Sequence, residues 1–320
     1  MDPRNTFFSE LKSEECRISS YLGKIFLCGG PLGKDPRDNY YSARGYISDF
    51  IPLLKPELAD HIKSAEEITD WWRDDTYEDL INFEKDIAEL SNLIVIFLES
   101  AGSLAELGAF SQIKQIKEKL LVFVDGELSR ENSFIQLGLI KDLENTINDS
   151  VSYYNWIEDN SSSYTPNQKH LADVANEIIT EIHERFIGST NDETLNPEST
   201  RHLFILICDI IDLMHASTID ELIDYLAGFN IKINRRRAHQ YLFILEKFEL
   251  IKSYSRGKKG QTFYLPYHYT ERLVQYKCNT IFNRERFKDD LKAHFDANRS
   301  DEKRMRQVRV HNRIMMRESN

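Results

Sequence analysis

Cysteine is scarce and scattered. The four residues (Cys16, Cys28, Cys208, Cys278) lie far apart and form no Cys-x-x-Cys pair. A disulfide framework or a zinc site is therefore not expected, and a reducing cytoplasm is the expected setting. Only 13 glycines and 8 prolines occur in 320 residues, too few for a collagen-like or low-complexity chain. Long apolar runs are missing too: none, Leu93–Leu98 and Leu120–Val124 included, exceeds six residues, far below the ~20 residues that span a bilayer. The opening MDPRNTFFSELKSEEC carries no apolar signal core, so neither export nor membrane attachment is expected. What is present is a chain 41% hydrophobic and 11% aromatic, with 18 Phe and 15 Tyr. That suffices for packed cores and excludes wholesale disorder. At roughly 100–200 residues per domain the length suggests two domains, or one large one.

The net charge of −11 conceals a division. Residues 197–320 hold 23 basic and 16 acidic side chains, a balance of +7; the preceding 196 hold 18 and 36, a balance of −18. A basic half attracts polyanions by counterion release, and an acidic half repels them. An acidic domain with an ordinary basic tail is the plainer alternative. The stretch Gly188–Thr200 (GSTNDETLNPEST) is almost free of apolar residues, as linkers are. The expected organisation is a first domain over 1–188, a linker over 189–200 and a second domain over 201–320.

The first part reads as an α/β unit. Lys24–Cys28, Leu93–Leu98 and Leu120–Val124 are short, apolar and β-rich, the pattern of strands buried on both faces. Helical spacing appears over Tyr77–Leu90 and Ser103–Lys119, and over Arg44–Leu54 until Pro52 interrupts it. Alternating strands and helices predict a Rossmann-like parallel sheet. Ligands then sit beyond the strand carboxyl ends, at Gly29–Lys34 and at Glu99–Glu106. The loop GGPLGKD is not a P-loop: Gly29 and Gly33 enclose three residues instead of four, and Asp35 stands where Ser or Thr must hold magnesium. No G-x-G-x-x-G fingerprint is present either. What remains is a turn, at Gly29 and Gly30, where a ligand can approach the backbone closely. In ESAGSLAELGAF, Ser103 and Glu106 have capping-box spacing, which makes Glu106 a structural cap. The same position also places a carboxylate in the ligand crevice. Trp71, Trp72, Tyr77 and Phe83 precede the central strand, either as core or as a platform for a base.

Residues 24–126 resemble the nucleoside 2-deoxyribosyltransferase-like family, through IFLCGGPLG, Lys85-Asp86-Ile87 and the S-x-A-E-L-G around Glu106. The resemblance implies that Glu106 is the nucleophile at the sugar C1′ and that Asp86 helps to bind substrate. Gly29, Gly30, Ser100 and Ser103 are expected alongside them as substrate-binding residues. One departure matters: the family's second acid, six residues before the nucleophile, is replaced by Ser100. A neutral base leaves poorly without a proton, whereas a cationic nicotinamide needs none. NAD is therefore the expected substrate, with no cofactor and no metal; free nucleosides and nucleotides stay open.

The basic half reads as three helices, Arg201–Met214, Thr218–Ala227 and Asn234–Leu250, then two short strands within Ile251–Leu265. That order predicts a winged helix-turn-helix. Arg235, Arg236, Arg237 and Gln240 on the third helix and Arg256, Lys258 and Lys259 in the hairpin are the expected nucleic-acid contacts. Docking of a protein is the alternative use of such a module. A further helix is expected over Thr270–His294, followed by a basic tail.

The pairing of the two halves resembles the effectors encoded beside bacterial retrons. It implies an N-glycosidase toxin of anti-phage defence, restrained by the retron reverse transcriptase and its branched RNA–DNA product (msDNA with its msrRNA), within a homo-oligomer or larger assembly. A winged-helix regulator whose first domain only senses a nucleotide, with Glu106 as a mere cap, is the other reading.

Overall fold

A computed structural model describes residues 2–21, 23–68, 76–126, 133–157, 166–188, 192–255, 260–267 and 272–318. The first elements are α1 (Pro3–Glu10), β1 (Arg17–Ile18), β2 (Ile25–Cys28), α2 (Ala43–Leu54), α3 (Pro56–Ala59), β3 (Ile62–Lys63) and α4 (Leu80–Leu90). Then come β4 (Leu93–Phe97), α5 (Ala101–Phe110), α6 (Lys114–Lys117), β5 (Leu120–Asp125), α7 (Lys141–Thr146), β6 (Val151–Tyr154) and α8 (Gln168–Ile187). The chain ends with β7 (Glu193–Thr194), α9 (Thr200–Leu213), α10 (Ile219–Gly228), α11 (Arg235–Lys247), β8 (Ile251–Tyr254), β9 (Phe263–Pro266), β10 (Val274–Gln275), α12 (Arg284–Ala297) and α13 (Glu302–Glu318). Among the described residues no helix is long and apolar enough to cross a membrane.

The chain divides into two compact units. One is made of Leu22–Asp70 and Asp79–Thr190; the other of Met1–Tyr21, Trp71–Glu78 and Asn191–Asn320.

The first unit is mixed α/β. Its five strands are all parallel, in the order β3-β2-β4-β5-β6. The three apolar runs of the sequence are the central strands β2, β4 and β5, buried along their whole length. One sheet face packs against α2 and α8, through Ile47, Ile51, Ile178, Ile182 and neighbours. After β2 the chain moves outward to β3, then crosses back to β4. The strand order therefore reverses between β2 and β4, and the crevice at their carboxyl ends is the switch point where ligands bind in such sheets. Three local expectations need correction. Pro52 does not stop α2, which runs on to Leu54 and closes with the Lys55 amide on the Ile51 carbonyl at 2.8 Å. The helix expected over Ser103–Lys119 is two helices, α5 and α6, because Ile113 is extended and caps the second. Edge strand β6 (VSYY), half-exposed, gave no apolar run to find.

In the second unit α9, α10 and α11 precede the antiparallel pair β8–β9. Asn234 caps α11, accepting from the Arg237 amide at 2.8 Å, and Thr218 with Glu221 forms a capping box on α10. The helix expected over Thr270–His294 is instead strand β10 and helix α12. The cause is Asp209, fully buried on α9: its carboxylate takes the Leu273 and Val274 amides, the Tyr276 hydroxyl and the Arg284 guanidinium, and so fixes an extended segment there. Strands β10, β1 and β7 form a small antiparallel sheet, so Glu193–Thr194, within the expected linker, is paired and Leu195 is buried.

Candidate active site

The switch-point crevice is built around a buried carboxylate and a buried guanidinium. Glu99, just past β4, turns back and accepts three backbone amides: Gly30 at 3.0 Å, Ala43 at 2.7 Å and Arg44 at 3.1 Å. It thus caps the start of α2 and pins the glycine turn in one move. Burial pushes its carboxyl above the ordinary range, against the pull of those amides. The approach is close enough to demand glycine: a Cβ on Gly30 would lie 2.6 Å from the Ser42 Cβ, and one on Gly29 2.8 Å from the Arg44 Cβ. Arg44, in the first turn of α2, is 2% exposed. It donates from Nε to the Gly30 carbonyl at 2.7 Å, from Nη1 to the Leu27 carbonyl at 3.2 Å, and from Nη2 to Glu66 at 2.6 Å.

Glu106 is not the helix cap. The capping box of α5 is Ser100 with Ser103: the Ser100 Oγ accepts the Ser103 amide at 3.0 Å, and the Ser103 Oγ accepts the Ser100 amide at 3.0 Å. Helix α5 starts two residues earlier than the Ser103 start read from sequence, which moves Glu106 into the second turn. There it is half-buried, and its Oε2 is sealed from water with no hydrogen-bond partner. The Cys28 thiol, whose own ionisation is pushed far up by complete burial, pulls this carboxyl downward as a hydrogen-bond donor. Burial raises the Glu106 carboxyl, and the Arg44 charge opposes that rise.

A fourth carboxylate joins Glu99, Glu66 and Glu106. Burial, with the charges of Glu106 and Glu66 added, lifts Glu84 on α4 from the ordinary 4.5 to about 7. Glu66, paired with Arg44, is held below the usual range. Two carboxyls that feel each other release their protons in sequence, and the Glu106 charge is one of those that hold the proton on Glu84. Sequence reading missed Arg44, Glu66, Glu84 and Cys28. Their signals were faint: an arginine opening an apolar helix just after the glycine turn, and a glutamate two residues before Asp86.

Of the residues expected to bind substrate, Gly29, Gly30, Ser100 and Ser103 come together at this crevice. Asp86 is fully buried on α4, about 200° around the helix from Glu84. Phe83 is core, and Tyr77 packs in the second unit against Phe243. Trp71 and Trp72 lie outside the described residues.

In the second unit Arg235 and Arg236 line one cavity of about 790 Å³ with Thr76, Asp220, His239 and Gln261. Arg237 lies over the Tyr241 ring at 4.3 Å and bonds Gln240 at 3.0 Å. Arg256, Lys258 and Lys259 lie outside the described residues.

Two curated Escherichia coli proteins are similar to the chain. One, named "Retron Ec86 putative ribosyltransferase/DNA-binding protein", is 32% identical over 117 residues, 37% of this chain and 36% of its own length. Its Ec73 namesake is 41% identical over 64 residues, 20% of each. The matched segments thus span about a third and a fifth of those relatives. The model of the family described as STM3845 retron effector protein matches residues 40–253, about two thirds of the chain, including Arg44, Glu84, Glu99 and Glu106 but not the glycine turn at Gly29 and Gly30. By that match the chain belongs to the STM3845 retron effector family.

Proposed function

We propose that this retron effector is an N-glycosidase toxin that cleaves the nicotinamide–ribose bond of NAD or a related N-glycosidic bond. In this reading the parallel-sheet unit is nucleoside deoxyribosyltransferase-like, with its catalytic residues inside 1–188. Residues 201–320 contain a winged helix-turn-helix that holds nucleic acid, the retron reverse transcriptase and its RNA–DNA product restrain the enzyme, and the whole acts in the cytoplasm as a homo-oligomer or larger assembly. The words ribosyltransferase and DNA-binding in the relatives' names support both halves.

One observation carries the enzymatic reading: Glu106, at the carboxyl side of the central strand, holds a carboxylate oxygen that no protein donor uses. Such a buried, unsatisfied acceptor is costly to maintain and suits a cation that forms only during reaction. As the C1′–N bond breaks, its electron pair leaves with nicotinamide, which departs neutral. The Glu106 carboxylate stabilises or captures the oxocarbenium-like C1′. Water then adds at C1′ and releases one proton. Arg44 holds the glycine turn in place, and Glu84, still protonated near neutrality, supplies a proton where the leaving base is neutral.

The test is release of nicotinamide from NAD by the purified chain. Glu106→Gln is expected to abolish it with the circular dichroism spectrum unchanged. Turnover by that variant at the wild-type rate, or no cleavage of NAD, nucleosides or nucleotides by the wild type, overturns the assignment.

A further inference from the structure

The chain supplies its own ligand to the face of α11 that a nucleic acid needs. Arg236, Gln240 and Phe243 are spaced i, i+4, i+7 and form one stripe of the helix. Residues 76–78 lie along it. The Glu78 carboxylate pairs with Arg236 at 2.6 Å, the Thr76 carbonyl accepts from the Gln240 Nε2 at 3.0 Å, and the Tyr77 ring meets the edge of Phe243. Thr76 and Tyr77 are 3% and 4% exposed, so the segment is docked and not merely near. Its partners are those a duplex would engage: an arginine for a phosphate and a glutamine amide for a phosphate or a base edge. The adjoining cavity repeats the theme, because Arg235, which lines it, is neutralised by Asp220. The docking is also imperfect. The Thr76 Oγ1 is buried with no hydrogen-bond partner, a cost that leaving this position would relieve.

We propose that residues 76–78 are a built-in competitor for nucleic acid, with Glu78 standing in for a backbone phosphate on Arg236, so that binding along α11 requires this segment to lift away. The proposal rests on the reading of this unit as nucleic-acid-binding. The residue next after the segment, Asp79, belongs to the parallel-sheet unit. Asp79 is the cap of α4, accepting the Asn82 amide at 2.8 Å, and α4 carries Glu84 and Asp86. Residues 76–78 are thus continuous in the chain with the cap of α4. Exposed ion pairs such as Arg236–Glu78 are weak, as a competitor that must yield has to be.

The experiment titrates a short fluorescent DNA duplex with the full chain at several salt concentrations, comparing wild type, Glu78→Gln, Arg235→Ala and Glu198→Gln, the last removing an exposed negative charge elsewhere in the unit. Glu78→Gln is expected to tighten binding about two- to five-fold and to steepen the log–log salt slope by ~0.9, one more phosphate neutralised. Arg235→Ala is expected to weaken binding, and Glu198→Gln to leave it unchanged. If Arg235→Ala weakens binding while Glu78→Gln behaves like Glu198→Gln, the competition is refuted and the nucleic-acid reading stands. If Arg235→Ala also has no effect, this face does not hold nucleic acid and both fall.

Discussion

Replacing Glu84 by glutamine is expected to stabilise the protein in alkaline but not in acidic solution. In the folded chain this carboxyl titrates at about 7, against an ordinary 4.5. The folded state therefore binds the proton more tightly than the unfolded state, and stability falls as pH rises from 4.5 to 7. Above pH 7 both states are ionised and the full penalty stands: at 1.36 kcal/mol per pH unit, about 3 kcal/mol. Below 4.5 both are protonated and the penalty vanishes. Glutamine has nearly the shape of the protonated acid and never ionises. For a unit of about 160 residues, a gain of that size raises the melting temperature by roughly 6–12 °C. The assay is thermal or urea unfolding of wild type and Glu84→Gln at pH 4 and pH 8. Equal stability at pH 8, or an equal gain at both pH values, refutes the reasoning. Glu106→Gln removes one of the charges that raise Glu84, so the double variant should gain less than the sum of the single ones.

Glu99→Gln should cost about 2–3 kcal/mol in urea unfolding, because the amide turns an NH2 group toward backbone donors that now meet a carboxylate. Gly30→Ala should destabilise the crevice by about 1–3 kcal/mol, its Cβ meeting Ser42 at 2.6 Å; an unchanged melting curve would show that the turn is looser than described. Asp209→Ala strands the buried Arg284 and three further donors and should cost about 3–5 kcal/mol. Hydrogen exchange should then rise first around β10 and α12.

The central sheet was readable because burial on both faces writes itself as uninterrupted Leu, Ile, Val and Phe. The two-residue β3 and the amphipathic β6 leave no such mark. Residues 76–78 and 2–21 join the unit formed mainly by the C-terminal part, an interleaving that linear composition does not encode. At the crevice, the motif drew attention to Glu106, but the cap was misplaced. Ser100 and Ser103 form a box without any acid at its third position, and the Ser-x-x-Glu pattern outcompeted it on paper. Glu84 could not have been found from local pattern, since what distinguishes it is the burial of its carboxyl beside two other acids drawn from distant segments.

That placement bears on which bond is cut. Ser100, where the resembling family carries its second acid, is committed here to the helix cap and to the Gly29 carbonyl at 3.3 Å. A proton for a neutral leaving base then has to come from another element, and Glu84 is a carboxyl near the crevice that still holds one at pH 7. A cationic nicotinamide leaves without it. Glu84→Gln should therefore spare NAD cleavage within a few-fold while reducing cleavage of neutral purine nucleosides or nucleotides by roughly 10²–10⁴. The wild-type rate on those neutral substrates should fall as pH rises through 7, a limb absent with NAD. Initial rates on both substrate classes from pH 5 to 9 decide it. Equal losses on both would place Glu84 in positioning instead of proton transfer, and no loss on either would remove it from the chemistry.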